Sequence, residues 1–293
     1  MIDFNKIKTI PIKDKNYKTK IKDFVRPKFI RGNNKKIKEL ANEILIARKN
    51  SKEVIFMIGA HIIKLGLSLY LIELIKKGII THVAMNGAAS IHDFEIAFAG
   101  KTSENVKENI KNGTFGMVEE TGRFINEALK SGNKGYGYSI ARKIEELDSK
   151  YKEYSIIYNC YKEKIPVTVH VAIGTDIIHQ HPSCDGSAIG KKSYEDFKLF
   201  VATLSKLEKG VILNVGSAVI MPEVFLKALS IVRNLGYKVE NFTRANFDMI
   251  NHYRPYNNLL KRPTEKGKIF NIIERHEKTI PLLYKYILRE NGS

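Results

Sequence analysis

The chain has 293 residues, 43% of them hydrophobic, enough to bury a sizeable core without a disulfide or metal staple. Two cysteines, Cys160 and Cys184, exclude a disulfide framework and point to a reducing, cytoplasmic setting. No run reaches about 18 apolar residues and the N-terminus has no apolar core segment, so neither a membrane span nor a signal peptide is expected.

The formal charge of +18 is uneven. Residues 1–33 carry Lys6, Lys13, Lys20 and Arg26 with few acids, and read as a basic arm lying on the body or on another subunit. Such an arm can attract nucleic acid by counterion release, although no zinc-finger spacing or glycine-aromatic RNA signature accompanies it. Residues 34–293 read as a single domain. Helical periodicity covers 35–49, and Glu53 to Ile58 is an apolar run of strand length closed by Gly59. Residues 61–77 form a helix with a wide apolar face, and Ile79 to Met85 a second buried strand. That β-α-β unit implies a parallel sheet covered on both faces.

A charged, mostly helical insertion occupies about 100–164. The alternation then resumes. Val167 to Ile173 is a strand, 192–208 a helix and Gly210 to Val215 a strand; 222–235 is a helix, Tyr237 to Phe242 a strand, and 265–289 largely helical. The expected fold is α/β, an open and mostly parallel sheet with helices on both faces, three-layered and Rossmann-like.

In such sheets ligands bind beyond the carboxyl ends of the strands. The segments expected there are small and polar: Asn86-Gly87-Ala88-Ala89, His181-Pro182-Ser183-Cys184-Asp185-Gly186-Ser187, Gly216-Ser217-Ala218, and Thr243 to Asp248. Small residues let backbone N–H groups approach a phosphate, and a following helix N-terminus adds a favourable dipole. No Gly-x-Gly-x-x-Gly fingerprint occurs, which disfavours an ordinary Rossmann dehydrogenase.

In order along the chain, these segments resemble the deoxyhypusine synthase family, tetrameric enzymes that use NAD as a hydride store. Asn86-Gly87-Ala88-Ala89-Ser90-Ile91-His92-Asp93 is similar to that family's Thr-Ala-Gly-Gly-Val-Glu-Glu-Asp loop, and Asp185-Gly186-Ser187 to its Asp-Gly-Ser motif. Gly216-Ser217-Ala218 stands where the family has three glycines. Phe247-Asp248 with Arg254-Pro255, and Ile280-Pro281-Leu282-Leu283, resemble two later motifs, so the likeness runs from about residue 35 to residue 285. It implies NAD as cofactor, a homotetramer, and a cofactor site shaped by Gly59, Asn86, Gly87, Ala88, Asp185, Gly186, Ser187, Gly216, Ser217, Ala218, Thr243 and Asp248.

The departures bear on the substrate. A family glutamate that contacts the polyamine becomes His92, and an aspartate becomes Gly190 or Lys191. Two more carboxylates become Asn251 and Asn257, and the nucleophilic lysine falls on Pro263, with Lys261 two residues away. A polyamine needs carboxylates to offset its desolvation. His179, His181, Lys191, His252 and Arg254 would instead hold a small anionic or zwitterionic substrate.

His92-Asp93-Phe94-Glu95 also resembles a stretch of the related domain of archaeal ornithine cyclodeaminases, which use NAD on an amino acid. His92, Asp93 and Lys261 are the expected catalytic groups, His92 with Asp93 as an acid-base pair. The alternative is that Asp93 only complements a helix dipole. No metal is expected, since His179 and His181 lack a third histidine nearby. Three readings stay open: hydride-linked chemistry on a small substrate, aminobutyl transfer, or a non-catalytic nucleotide- or nucleic-acid-binding module.

Overall fold

Six parallel strands organise the molecule, and their order fixes where a ligand can enter. The computed structural model describes residues 2–290. In chain order the strands are β1 (Thr19–Lys20), β2 (Val54–Ile58), β3 (His82–Asn86), β4 (Lys101–Thr102), β5 (Val167–His170), β6 (Val211–Val215), β7 (Thr243–Asp248) and β8 (Ile269–Ile273). The helices are α1 (Lys35–Lys49), α2 (His61–Lys64), α3 (Ser68–Lys76), α4 (Gly87–Ala99), α5 (Val106–Asn109), α6 (Glu119–Ser131), α7 (Tyr136–Glu146), α8 (Ile156–Lys162), α9 (Gly186–Leu204), α10 (Ile220–Asn234) and α11 (His276–Glu290).

The main sheet runs β5-β3-β2-β6-β7-β8, with every neighbouring pair parallel. This is the doubly wound order: the chain works outward from β2 on one side, then returns to β6 and works outward on the other. The strand interiors are apolar because both faces are covered. Along β2, Val54, Phe56 and Ile58 join one core with α1, α3, α8 and α11, while Ile55 and Met57 join a second core with α9 and α10. The expected α/β, three-layer fold is therefore present. Among the described residues no helix is long and apolar enough to cross a membrane.

Several element boundaries differ from those expected. The helix over 61–77 is broken between α2 and α3, where Gly66 takes a φ of +68°. A Cβ there would meet Asp23 O at 2.8 Å, so the break seats the N-terminal arm. The strand expected at Tyr237 to Phe242 lies instead at Thr243–Asp248, and β8 precedes a shorter C-terminal helix than expected. Thr243 to Asp248 is thus a strand and not a loop.

The basic arm is tied to the body. β1 pairs antiparallel with β4, Ile10 bridges Val118, and Val25 donates to Gly66 O at 3.0 Å. Lys15 is buried, its Nζ 2.5 Å from Glu104 Oε2 and 2.6 Å from Thr114 O.

Candidate active site

The strand order reverses between β2 and β6, so their carboxyl ends form the switch point, the place where doubly wound sheets open a crevice. Gly59 follows β2 and donates to Val215 O at 2.9 Å, and Gly216 follows β6 and donates to Phe247 O at 3.0 Å. A Cβ on Gly59 would lie 2.1 Å from Gly216 O, so the two turns can approach this closely only without one. Gly216 has a φ of +71°, and a Cβ there would press on the His276 ring at 2.9 Å. Ser217 Oγ accepts from Met221 N at the start of α10, and Asn214 Nδ2 holds Ser217 O at 3.0 Å.

Asp248, at the end of β7, lies 3.9 Å from His252 Nε2 and acts electrostatically on both His61 and His276. Burial lowers the pKa of His276 and of His61, and Lys64 lowers that of His61 further, against the opposing pull of Asp248. Among the expected residues the structure thus gathers Gly59, Gly216, Ser217 and Asp248, with His252 at the rim. His61 and His276 join them.

On the β3 and β5 side of the same edge lies a cavity of about 580 Å3. Its walls come from α2 (His61, Lys64), α4 (Ala88, Ile91, His92, Glu95), the turn after β5 (Thr175, Asp176, Ile177), the arm (Tyr17, Lys18, Thr19) and the insertion (Ser103, Glu104, Val106, Phe115). His61 lines the cavity and feels Asp248, which links it to the crevice. Asn86 caps α4, its side chain accepting from Ala89 N at 2.9 Å. Gly87 is packed against Asp176, whose Oδ2 a Cβ would meet at 1.9 Å.

The Asp176 carboxyl is nearly enclosed, and among the described residues its Oδ2 has no hydrogen-bond partner. Burial raises its pKa to about 6. His179 accepts at Nδ1 from Gly174 N and Asp176 N, which places its proton on Nε2. That Nε2 is also unpartnered, 4.0 Å from Asp176 Oδ2. His92 is neutral near pH 7, because burial, Lys64 and His61 lower its pKa to about 3. Among the described residues no group of three or more His, Cys, Asp or Glu is placed to hold a metal.

Other expected site residues stand elsewhere. Asp93 is fully buried and caps α8, accepting from Ser155 Oγ and from the amides of Ile156 and Ile157 at 2.8 and 3.1 Å. It does not line the cavity, so the adjacent His-Asp acid-base pair is replaced by a contact of His92 with Thr102. Thr243 sits at the amino end of β7, opposite in the strand to Asp248, with its hydroxyl 3.3 Å from Glu43 Oε2. Asp185 caps α9 by accepting from Ser187 N and Ala188 N, and Gly186, Ser187 and Lys191 are exposed.

His181 bonds Ser183 and packs on Gly122. Arg254 pairs with Glu223 at 3.1 Å, and Lys261 is exposed over the Tyr256 ring. None of these lines the cavity. Ala218 follows Ser217 on the turn before α10.

Asp176 could have been found from its place just past a strand end. Tyr17, Lys64, Thr102 and Glu104 carried no local signal.

No family model and no curated protein matches the chain. Solved structures do. A conserved protein from Methanococcus maripaludis S2, provisionally assigned as LOR/SDH, matches at 19% identity and a TM-score of 0.54, over 91% of this chain and 74% of that one. AgrE, in a ternary complex with ornithine and NAD+, matches at 17% identity and a TM-score of 0.58 over 90% of this chain, which spans only 35% of AgrE. A provisionally assigned deoxyhypusine synthase from Entamoeba histolytica matches at 11% identity and a TM-score of 0.51, over 87% of each chain. The chain therefore has the deoxyhypusine synthase-like fold.

Proposed function

We propose that the protein is an NAD-dependent enzyme of the deoxyhypusine synthase-like type, acting by hydride-linked chemistry on a small zwitterionic substrate. The carrying observation is the junction of a tight glycine crevice with a charged cavity through His61. A dinucleotide pyrophosphate would sit beside the Gly59 and Gly216 turns, and because their own amides are engaged by Val215 and Phe247, the amino end of α10 next to Ser217 would carry the contact. AgrE, of similar fold, is seen with NAD+ and ornithine, which adds to the reading at the level of fold. The bound dinucleotide would supply the hydride acceptor.

The chain's own residues do the rest. Asp176, with one oxygen lacking a donor, would receive an ammonium; Lys64 and Lys18 would receive a carboxylate. Three acids on the wall, Asp176, Glu95 and Glu104, favour a zwitterion over a plain anion. His92, neutral and on the wall, would take the proton that an N–H bond releases as the adjacent C–H bond gives up its hydride. The arm and insertion shield this chemistry from water.

Aminobutyl transfer needs a lysine in the cavity, and Lys261 is not there, whereas Lys64 is. The resemblance further implies a cytoplasmic homotetramer, and a single domain over 34–293 carrying the arm. Isothermal titration tests the proposal: NAD should bind, a zwitterionic diamino acid should bind in its presence, and spermidine should not. Tight spermidine binding, or no uptake of NAD, would remove it.

A further inference from the structure

His92 and Glu95 stand three residues apart on α4, and Thr102 reaches them both from β4. His92 Nδ1 is 2.6 Å from Thr102 Oγ1. The Thr102 hydroxyl donates to Glu95 Oε2, and Thr121 Oγ1 donates to Glu95 Oε1 at 3.0 Å. His92 and Glu95 themselves are 3.9 Å apart, beyond a hydrogen bond, so Thr102 is the link.

A threonine hydroxyl carries one proton. While that proton goes to a Glu95 carboxylate, the oxygen can only accept from His92, which puts the imidazole proton on Nδ1. Among the described residues no hydrogen bond engages Nε2, so its lone pair is left to the cavity that His92 lines.

We infer that Thr102 and Glu95 are positioning residues that set the tautomer of His92, and that a proton taken up at Nε2 is passed on to Glu95. The transfer balances without an imidazolium. As Nε2 gains a proton, Nδ1 releases its own to Thr102, and Thr102 releases its own to Glu95. The imidazole stays neutral throughout, and the carboxylate becomes a carboxylic acid. Reversing the three shifts returns the proton to a ligand.

The surroundings favour that resting place. Lys64 and His61 of α2 face His92 and, with burial, oppose a positive ring. Burial of Glu95 raises its pKa to about 7, aided by Glu104; Thr102, Thr121 and Lys15 act the other way. Tyr17 and Lys18 of the arm and Asp176 of the turn after β5 also line this cavity; burial first, then Glu95, Glu104 and Glu120, raises the pKa of Tyr17 and keeps it protonated. Sequence alone pairs His92 with Asp93; the structure gives it Glu95 through a hydroxyl.

The inference rests on the cavity being the substrate pocket, but its test needs no substrate. Side-chain nitrogen NMR of the full chain labelled in histidine reads the tautomer directly, with His92 assigned by its loss in His92→Gln. Above pH 8 the ring should be protonated at Nδ1. As pH falls through about 7 it should change to the Nε2–H tautomer while remaining neutral. Glu95→Gln and Thr102→Val should each lose that step, and Thr102→Ser should restore it.

A ring protonated at Nε2 above pH 8, an imidazolium forming near its ordinary 6.5, or a step that survives Glu95→Gln would overturn the inference. A correct tautomer step with no substrate binding would count against the proposed function and leave the relay standing.

Discussion

The two halves of the sheet's carboxyl edge are built in opposite ways. The β2/β6 crevice is made of backbone: Gly59 against Gly216, with strand-end amides spent on neighbouring strands. The β3/β5 cavity is made of side chains brought from the arm, α2, α4, the insertion and the turn after β5. The first depends on the absence of atoms at two positions. The second depends on charges from distant segments meeting, so it is open to loosening without loss of the sheet.

Breaking the arm's anchor should separate the two halves most clearly. Lys15 and Glu104 are an enclosed ion pair, with side chains 5% and 10% exposed. Lys15→Ala leaves Glu104 buried without its cation, at a cost of about 3 to 5 kcal/mol. Urea unfolding should show that loss. Zwitterion binding should fall with it, while NAD binding by the remaining folded protein stays within a factor of about 2 of the parent, because the crevice touches neither residue. Equal loss at both sites would mean the halves are one unit.

Gly59→Ala makes the converse cut. Its Cβ would stand 2.1 Å from a backbone oxygen that has no rotamer to escape by. Overpacking of this kind costs about 1 to 3 kcal/mol, and NAD affinity should fall by about 100-fold as the turns separate. Gly186→Ala is the control, since nothing lies within 4 Å of the added carbon. Should Gly186→Ala weaken NAD as strongly, the Asp185-Gly186-Ser187 turn and not the crevice would hold the cofactor.

The orphaned Asp176 carboxyl gives a smaller effect with a sign. Its folded pKa, about 6, is above the ordinary carboxyl value of 3.8, so the folded state binds the proton more tightly than the unfolded chain. Stability from this group is therefore lost as pH rises through about 6, and is present in full below about 3.8. Asp176→Asn should stabilise the free protein by about 2 kcal/mol at pH 8, and the gain should vanish as pH is lowered toward 4. The same variant should weaken zwitterion binding at pH 8. A variant less stable than the parent at pH 8 would show that the carboxylate has a partner after all.

The crevice was largely legible in the sequence and the cavity was not. Val54 to Ile58 is an unbroken apolar run ending in Gly59, so strand, strand end and turn are all local. β7 was misplaced because Arg244 and Asn246 put polar groups inside a fully buried strand. Asn246 is satisfied by Asn214 and Asn271 across the neighbouring strands, a ladder that needs three strands in register before it stabilises anything. The Asp93 expectation failed for the same kind of reason. Its partners, Ser155 and the first turn of α8, are 62 residues away or more. Glu95 and Thr102 became a pair only because β4 is held by a strand of the arm.

The smallest effect concerns the lysine that a transfer reaction would require. Lys261 is exposed, and its one described contact is a cation over the Tyr256 ring at 5.4 Å, worth about 0.5 kcal/mol at such a site. Lys261→Ala should change stability by no more than that and leave zwitterion affinity and turnover as they were. Lys64→Ala, removing a cation from the cavity wall, should weaken the zwitterion by about tenfold through the lost charge-assisted contact, and leave NAD unaffected. Kinetics of the two variants side by side therefore divide the chemistry. If Lys261→Ala stops turnover while Lys64→Ala does not, the reacting lysine enters a cavity it does not line within one chain. A second copy must then supply it, and the reaction is transfer to an amine and not oxidation of a zwitterion.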